Sequence, residues 1–204
     1  MSGWVRVWCL RHAESEANAQ VPGAAEDCGL TELGRRQAIA AAQLLAAEPL
    51  TRIFCSTALR ARQTAEGLAP APAAAPGLPV VAMPELVEVD ASADVLRTWV
   101  VEQDLSQCAA DGETGHQVVA RVTAAIQQIA DAHPGETVAI VGHVASLTVA
   151  LARCCALGAT VWGAPLPNAL PFLVEWDGQT WRCPAWPGEA EQPLGMPSTF
   201  AAPD

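Results

Sequence analysis

Two histidines each follow a run of apolar residues that is typical of a buried strand. His12 ends "VRVWCLRH" and His143 ends "VAIVGH". In an open α/β sheet the carboxyl ends of the strands lie along one edge, where ligands bind. We therefore expect these two imidazoles, distant in the sequence, to share one pocket, with Arg11 beside them. An imidazole can serve there as a nucleophile or exchange protons near neutral pH.

The segment "STALRARQTAE" adds two arginines at the start of a predicted helix. The spacing S-x-x-L-R-A favours Arg60 as the residue that faces the pocket and leaves Arg62 as a solvated helix cation. Guanidinium groups bind phosphate through paired hydrogen bonds, and a helix N-terminus also attracts anions. Two arginines, two histidines and a helix start predict a site for a dianion, most simply a phosphoryl group.

Predicted strands alternate with predicted helices along the rest of the chain, and no internal repeat is visible. This order predicts one α/β domain with a mostly parallel sheet. The domain is expected at 1–183, followed by a Pro/Gly/Ala-rich tail at 184–204, and 84–92 is expected to be irregular. Strands are predicted at 4–10, 51–56, 80–83 and 137–142, helices at 31–47, 58–69, 115–133 and 145–157, and a hairpin at 170–183.

The amino-acid composition of the chain argues against several classes of function. The 204-residue chain carries a net charge of −11, and all 11 of its cations are arginines. The acidic balance disfavours nucleic acid, and the lack of lysine excludes a Walker-type phosphate loop and Schiff-base chemistry. No stretch approaches the roughly 20 apolar residues of a membrane span, and no signal peptide is expected. An odd count of seven cysteines without a C-x-x-C pair indicates reduced thiols and a cytoplasmic location.

Five motifs, taken together, resemble a known family. "LRHAESEAN", "LTELGRRQA", "STALRARQTAE", "LVE" and "AIVGH" are similar, in that order, to the signatures of the histidine phosphatase superfamily, which has the phosphoglycerate mutase-like fold. The resemblance extends over about residues 4–183. It implies a three-layer sandwich, with helices on both faces of the mostly parallel sheet, and phosphoryl transfer through a phosphohistidine. It also implies that no cofactor and no metal ion is needed.

The resemblance assigns the catalytic roles to His12, Glu88 and His143. His12 would be the nucleophile, His143 the second pocket histidine, and Glu88 in "LVE" the proton donor to the leaving group. Glu85 and Asp90 lie near Glu88 in the sequence and remain alternatives for the donor.

Phosphate binding is assigned, on the same resemblance, to Arg11, Asn18, Arg60 and Val144. Val144 stands where the family usually has glycine, so its backbone N–H is the group expected to bind. Ala13 likewise replaces a glycine, and the usual G-x-W-x-G after Glu88 is missing. Because that segment normally helps to cap the substrate, specificity cannot be transferred from the family.

The interval between Glu88 and His143 distinguishes a phosphatase from a mutase. It is expected to hold little more than an irregular stretch and one long helix, and a small cap favours hydrolysis because retransfer requires exclusion of water. The expected function is a phosphatase for a small phosphorylated metabolite. Alternatives are a mutase-type phosphotransferase, a protein phosphatase and a non-catalytic phospho-ligand binder. Nucleic acid and membrane are not expected partners, whereas a second copy of the chain in a homodimer is one expectation.

Overall fold

A mixed six-stranded sheet forms the centre of the protein. Its strands are β1 Val5–Arg11, β2 Leu50–Ser56, β3 Val80–Met83, β4 Thr137–Gly142, β5 Phe172–Trp176 and β6 Trp181–Arg182, in the spatial order β3-β2-β4-β1-β5-β6. The structure is a computed structural model, and it describes residues 4–69 and 77–189. Neighbouring strands from β3 to β1 pair in parallel, whereas β5 pairs antiparallel with both β1 and β6.

Helices cover both faces of this sheet, which confirms the predicted α/β class. Along each strand alternate side chains point to opposite faces. The helices are α1 Glu32–Leu44, α2 Leu59–Leu68, α3 Ala93–Val100, α4 Gly115–Ala132 and α5 Val144–Cys154. In β4, Val138 and Ile140 join one apolar cluster with α4 and α5, and Ala139 and Val141 join a second cluster with α1 and α2.

Helix α3 is the element that the sequence analysis did not predict. The expectation of one irregular stretch and one long helix between Glu88 and His143 is therefore wrong, because two helices lie there. Ser92 begins α3 by accepting a hydrogen bond from the backbone N–H of Val95 at 3.3 Å. The buried Trp99, 1% exposed, then fixes the helix against the core.

Packing at the carboxyl end continues beyond residue 183. Trp186 is buried, its ring centroid lies 5.4 Å from that of Phe172, and its Nε1–H donates to the carbonyl oxygen of Ala164 at 2.8 Å. Residues 190–204, which make up most of the predicted tail, lie outside the described residues. Within the described ranges, no helix combines the length and apolarity needed to cross a bilayer.

Gly34 permits close approach between α1 and the loop that follows β1. A Cβ atom at this position would lie 2.0 Å from the carbonyl oxygen of Glu14. Replacement of a helical glycine by alanine ordinarily stabilises a helix by about 0.5–1 kcal/mol. Here we expect Gly34→Ala to lower the free energy of unfolding by about 1–3 kcal/mol, because the loop must move. Urea denaturation measures this change. Ile39→Ala, at an exposed position of the same helix, is the control, and an unchanged midpoint for Gly34→Ala would contradict the prediction.

Candidate active site

Strand register brings the two predicted histidines together. In the parallel pair β1 and β4, Arg11 lies opposite Gly142, so His12 and His143 leave the sheet side by side. The backbone N–H of His12 donates to the carbonyl oxygen of Gly142 at 2.9 Å, and the two ring centroids are 5.1 Å apart. The structure therefore places the two rings side by side, as expected, although both are buried and neither is among the residues that line the neighbouring cavity.

Hydrogen bonds fix the tautomer of His12. Its Nδ1 lies 2.8 Å from the carbonyl oxygen of Ala13, which can only accept, so Nδ1 carries the proton. Its Nε2 accepts from Nε–H of Arg60 at 3.3 Å and therefore keeps its lone pair. Burial, followed by the charge of Arg11, lowers the pKa of His12 from 6.5 to about 3. His12 is thus a neutral imidazole with an available nitrogen at neutral pH.

His143 occupies the other side of Arg60. Its Nδ1 lies 3.4 Å from Nη2 of Arg60, and its Nε2 lies 2.8 Å from Oγ of Ser56. The side chain is 1% exposed. Burial, followed by the proximity of His12 and Arg60, lowers the pKa of His143 well below its usual value. In the free protein the positive charge of this site therefore resides on arginines.

Arg11 supplies a buried cation beneath the histidines. Its Nη1–H donates to the carbonyl oxygen of Leu166 at 3.2 Å, and its Nε is buried without a protein acceptor among the described residues. Burial lowers the pKa of Arg11, and the nearby Glu88 opposes that change. A guanidinium nevertheless remains charged in proteins. An unsatisfied buried donor is costly, so this N–H favours the arrival of an anion.

Glu88 reaches the first turn of α5. Its Oε2 accepts from the backbone N–H of Ala145 at 3.1 Å. Its Oε1 accepts from the backbone N–H groups of Ser146 at 2.8 Å and Val89 at 3.1 Å. Two acceptor sites of Oε1 are therefore used, whereas Oε2 retains one free lone pair.

Arg121 of α4 holds the chain that leads to Glu88. Its Nη1–H donates to the carbonyl oxygens of Glu85 and Val87, each at 2.8 Å. Its other nitrogens form a two-point pair with Glu113. This contact fixes the guanidinium, so Arg121 determines where the Glu88 backbone lies.

A cavity of about 580 Å³ opens beside Arg60 and Glu88. Glu88 and Asp90 both line it, whereas Glu85 is exposed and is not among the lining residues. Of these three, only Glu88 is hydrogen-bonded to the first turn of α5 among the described residues. Arg62 is exposed on α2, and no hydrogen bond within the described part of the chain joins it to either histidine. The residues that line the cavity are Glu26, Asp27, Thr57, Ala58, Arg60, Val87, Glu88, Val89, Asp90 and Asp111.

The two remaining predicted phosphate contacts differ in their surroundings. Val144 begins α5, and within the described chain its backbone N–H has no acceptor, as expected at a helix N-terminus. Asn18 instead accepts hydrogen bonds from the backbone N–H and the hydroxyl of Ser15, at 3.2 and 3.1 Å. No hydrogen bond of the described residues joins Asn18 to the histidines.

Three positioning residues were not identified from the sequence. Thr64 accepts from the backbone N–H of Ala13 at 3.0 Å and donates to the carbonyl oxygen of Arg60 at 2.7 Å. Asn168 donates to the carbonyl oxygen of His12 at 2.8 Å. Ser56, which contacts His143, stands inside a quoted motif, but only the strand register shows its partner. Among the described residues, no three histidine, cysteine, aspartate or glutamate side chains form a metal-binding group.

Burial of neutral His12 predicts a pH dependence of stability. The unfolded chain binds a proton at this histidine below its ordinary pKa of 6.5, whereas the folded protein does so only near 3. The free energy of unfolding should therefore fall as the pH decreases from about 6.5 towards 4, with up to about 1.4 kcal/mol per pH unit from His12. Urea denaturation at several pH values should give a shallower slope for His12→Asn than for the wild type. His116→Asn, at an exposed position, should keep the wild-type slope, and equal slopes for all three would contradict the burial argument.

Comparison with known proteins agrees with this geometry. The model of the histidine phosphatase superfamily (branch 1) matches residues 7–187, whereas no curated protein matches the chain. YhfR of Bacillus stearothermophilus superimposes with a TM-score of 0.72 and 25% identity, covering 88% of this chain and 95% of that one. A mycobacterial glucosyl-3-phosphoglycerate phosphatase gives a TM-score of 0.67 and 26% identity, covering 89% and 98%. Phosphoserine phosphatase of Entamoeba histolytica, at 16% identity and a TM-score of 0.70, covers 89% and 95% and shares the fold. Because the family model matches most of the length of this chain, the chain belongs to the histidine phosphatase superfamily.

Proposed function

We propose that the protein is a metal-independent phosphatase that hydrolyses a phosphomonoester of a small metabolite through a phosphohistidine. The observation that carries the proposal is the state of His12. Its Nδ1–H is held by Ala13, and its Nε2 lone pair faces the guanidinium of Arg60. A neutral imidazole with one fixed and one available nitrogen is the form that attacks phosphorus.

The first chemical step forms the bond from Nε2 of His12 to phosphorus and breaks the bond from phosphorus to the ester oxygen. Negative charge lies on the three equatorial oxygens during transfer. Arg60, which contacts both histidines in the free protein, would turn to these oxygens. The Nε–H of Arg11, which has no acceptor within the described residues, would donate to one of them as well. Two guanidinium groups thus supply the charge that a metal ion provides in other phosphatases.

Glu88 would move the protons. Protonated at Oε2, where a lone pair is free, it would donate to the departing alkoxide. The carboxylate produced would then take a proton from water, whose oxygen attacks the phosphohistidine. The bond from phosphorus to Nε2 breaks, inorganic phosphate leaves, and Glu88 is again protonated.

Four exposed carboxylates favour a substrate with one phosphate. Glu26, Asp27, Asp90 and Asp111 line the cavity whose inner part carries Arg60. A second phosphate at this rim would be repelled. We therefore favour small monophosphates over polyanions. A cytoplasmic location accords with seven cysteines that are all free.

The first prediction for this function concerns the nucleophile and metals. Hydrolysis of p-nitrophenyl phosphate should persist in EDTA and should be abolished by His12→Ala, because no other side chain takes the phosphoryl group. Mass spectrometry of the protein during turnover should detect a phosphorylated species in the wild type. His116→Ala is the matched control at an exposed histidine and should remain active.

The same assay separates the rival functions. Loss of activity in EDTA would refute the metal-independent reaction, and full activity of His12→Ala would refute the nucleophile. Stimulation by a bisphosphorylated effector would indicate a mutase-type phosphotransferase. Preference for a phosphopeptide would indicate a protein phosphatase, and binding without turnover would indicate a phospho-ligand binder.

The second prediction concerns the proton donor. Glu88→Gln should lower kcat for an alkyl phosphate by about 10²–10⁴-fold, because the alkoxide then leaves unprotonated. The loss should be smaller for p-nitrophenyl phosphate, whose phenolate leaves readily without a proton. Glu85→Gln and Asp90→Asn are the controls, since neither side chain is hydrogen-bonded to α5 among the described residues. Equal losses on both substrates would contradict the role of Glu88 in leaving-group protonation.

A further inference from the structure

The hydroxyl of Ser56 lies beside His143, at the edge of the sheet where β2 ends. Ser56 is the last residue of β2 and is fully buried. Its Oγ lies 2.8 Å from Nε2 of His143 and accepts from the backbone N–H of Ala58 at 3.2 Å. Among the described residues these are its only hydrogen-bond partners. Ser56 therefore contacts the second pocket histidine on the side opposite Arg60.

Arg60 fixes the tautomer of His143 in the free protein. A guanidinium can only donate, so Nδ1 of His143, 3.4 Å from Nη2, accepts and carries no proton. Because the ring is neutral, its proton lies on Nε2 and is donated to Ser56. The hydroxyl proton of Ser56 is then left without an acceptor among the described residues, although the side chain is buried.

Phosphate binding reverses the requirement at Nδ1. The three terminal oxygens of a phosphomonoester dianion, like three of the four oxygens of hydrogen phosphate, carry no proton and can only accept, so a ring nitrogen that faces one of them must carry a proton. A buried neutral histidine meets this need by placing its proton on Nδ1, and Nε2 must then receive a hydrogen bond instead of donating one. A serine hydroxyl can both donate and accept, which a backbone N–H or a carbonyl cannot do.

We propose that Ser56 is a positioning residue that allows His143 to change tautomer when phosphate binds. This inference rests on the proposed function. In the free protein Nε2–H donates to Ser56. In the complex Arg60 turns to the phosphate, Nδ1–H of His143 donates to a phosphate oxygen, and the hydroxyl of Ser56 donates to Nε2. One proton leaves Nε2 and one joins Nδ1 by exchange with water, so the ring remains neutral throughout.

The test observes the ring nitrogens directly. The chain has only four histidines, so ¹⁵N-histidine labelling with long-range ¹H–¹⁵N correlation resolves each ring. His143 should change from the Nε2–H to the Nδ1–H tautomer when inorganic phosphate is added to saturation. The same tautomer in both states, or an imidazolium in the complex, would overturn the proposal.

Substitution of Ser56 adds a kinetic readout. Ser56→Ala should lower kcat/KM for p-nitrophenyl phosphate by about 10- to 100-fold and keep His143 in the Nε2–H tautomer with phosphate present. Ser56→Cys, a weaker donor and acceptor, should lie between. Thr148→Val is the control, because it removes a buried hydroxyl of α5 that has no hydrogen-bond partner among the described residues, and its activity should stay within about twofold.

The outcomes separate this inference from the proposed function. If phosphate perturbs His12, and p-nitrophenyl phosphate is hydrolysed, but His143 keeps its tautomer, only the inference fails. If phosphate perturbs neither ring and no hydrolysis occurs, the proposed function fails as well. A Ser56→Ala protein that changes tautomer as the wild type does would overturn the role of the hydroxyl. The wild-type titration decides the matter even if that variant does not fold.

Discussion

The parallel pairing of β1 with β4 is the constraint on which the site depends. Arg11 lies opposite Gly142, and this register brings His12 and His143 to a ring separation of 5.1 Å. A shift of one residue would turn alternate side chains to the opposite face of the sheet. Because β4 is buried along its whole length, such a shift would disrupt the packing on both faces of the strand. The precision of the pocket thus derives from the apolar core.

Burial gives the two rings of the pocket their common state. Desolvation lowers the pKa of both His12 and His143, and the charges of Arg11 and Arg60 act in the same direction. Neutral histidines beside charged guanidinium groups form a site that is cationic although neither histidine is protonated. A dianion placed here meets positive charge that is already present, and the nucleophile keeps its lone pair.

The sequence predicts the residues at the centre of this site better than it predicts the residues that position them. His12 and His143 can be found because each ends an apolar run, and Arg60 because it opens a helix after another strand. Ser56 and Asn168 act through hydrogen bonds across the sheet edge, and which residue each one meets depends on register. That register results from packing of the whole sheet and not from any local pattern.

Helix α3 illustrates the same limit in the fold. Its eight residues offer little more than two turns, so the apolar period is too short to be recognised. Ser92 as N-cap is a signal that could have been used. The formation of α3 depends on tertiary contacts of Trp99. This side chain is buried, and its Nε1–H donates to the carbonyl oxygen of Gln107 at 3.0 Å. Short helices gain their stability from packing, which the sequence reveals only indirectly.

Selectivity in the proposed phosphatase follows from the unequal screening of two sets of charges. The carboxylates at the cavity rim are exposed, and at physiological ionic strength their fields decay over about 8 Å. Arg11 is buried, so its field is screened much less. A ligand with one phosphate is therefore attracted at the inner end and only weakly opposed on entry. A ligand whose second phosphate must stay among the rim carboxylates meets them at contact distance, where screening gives little relief.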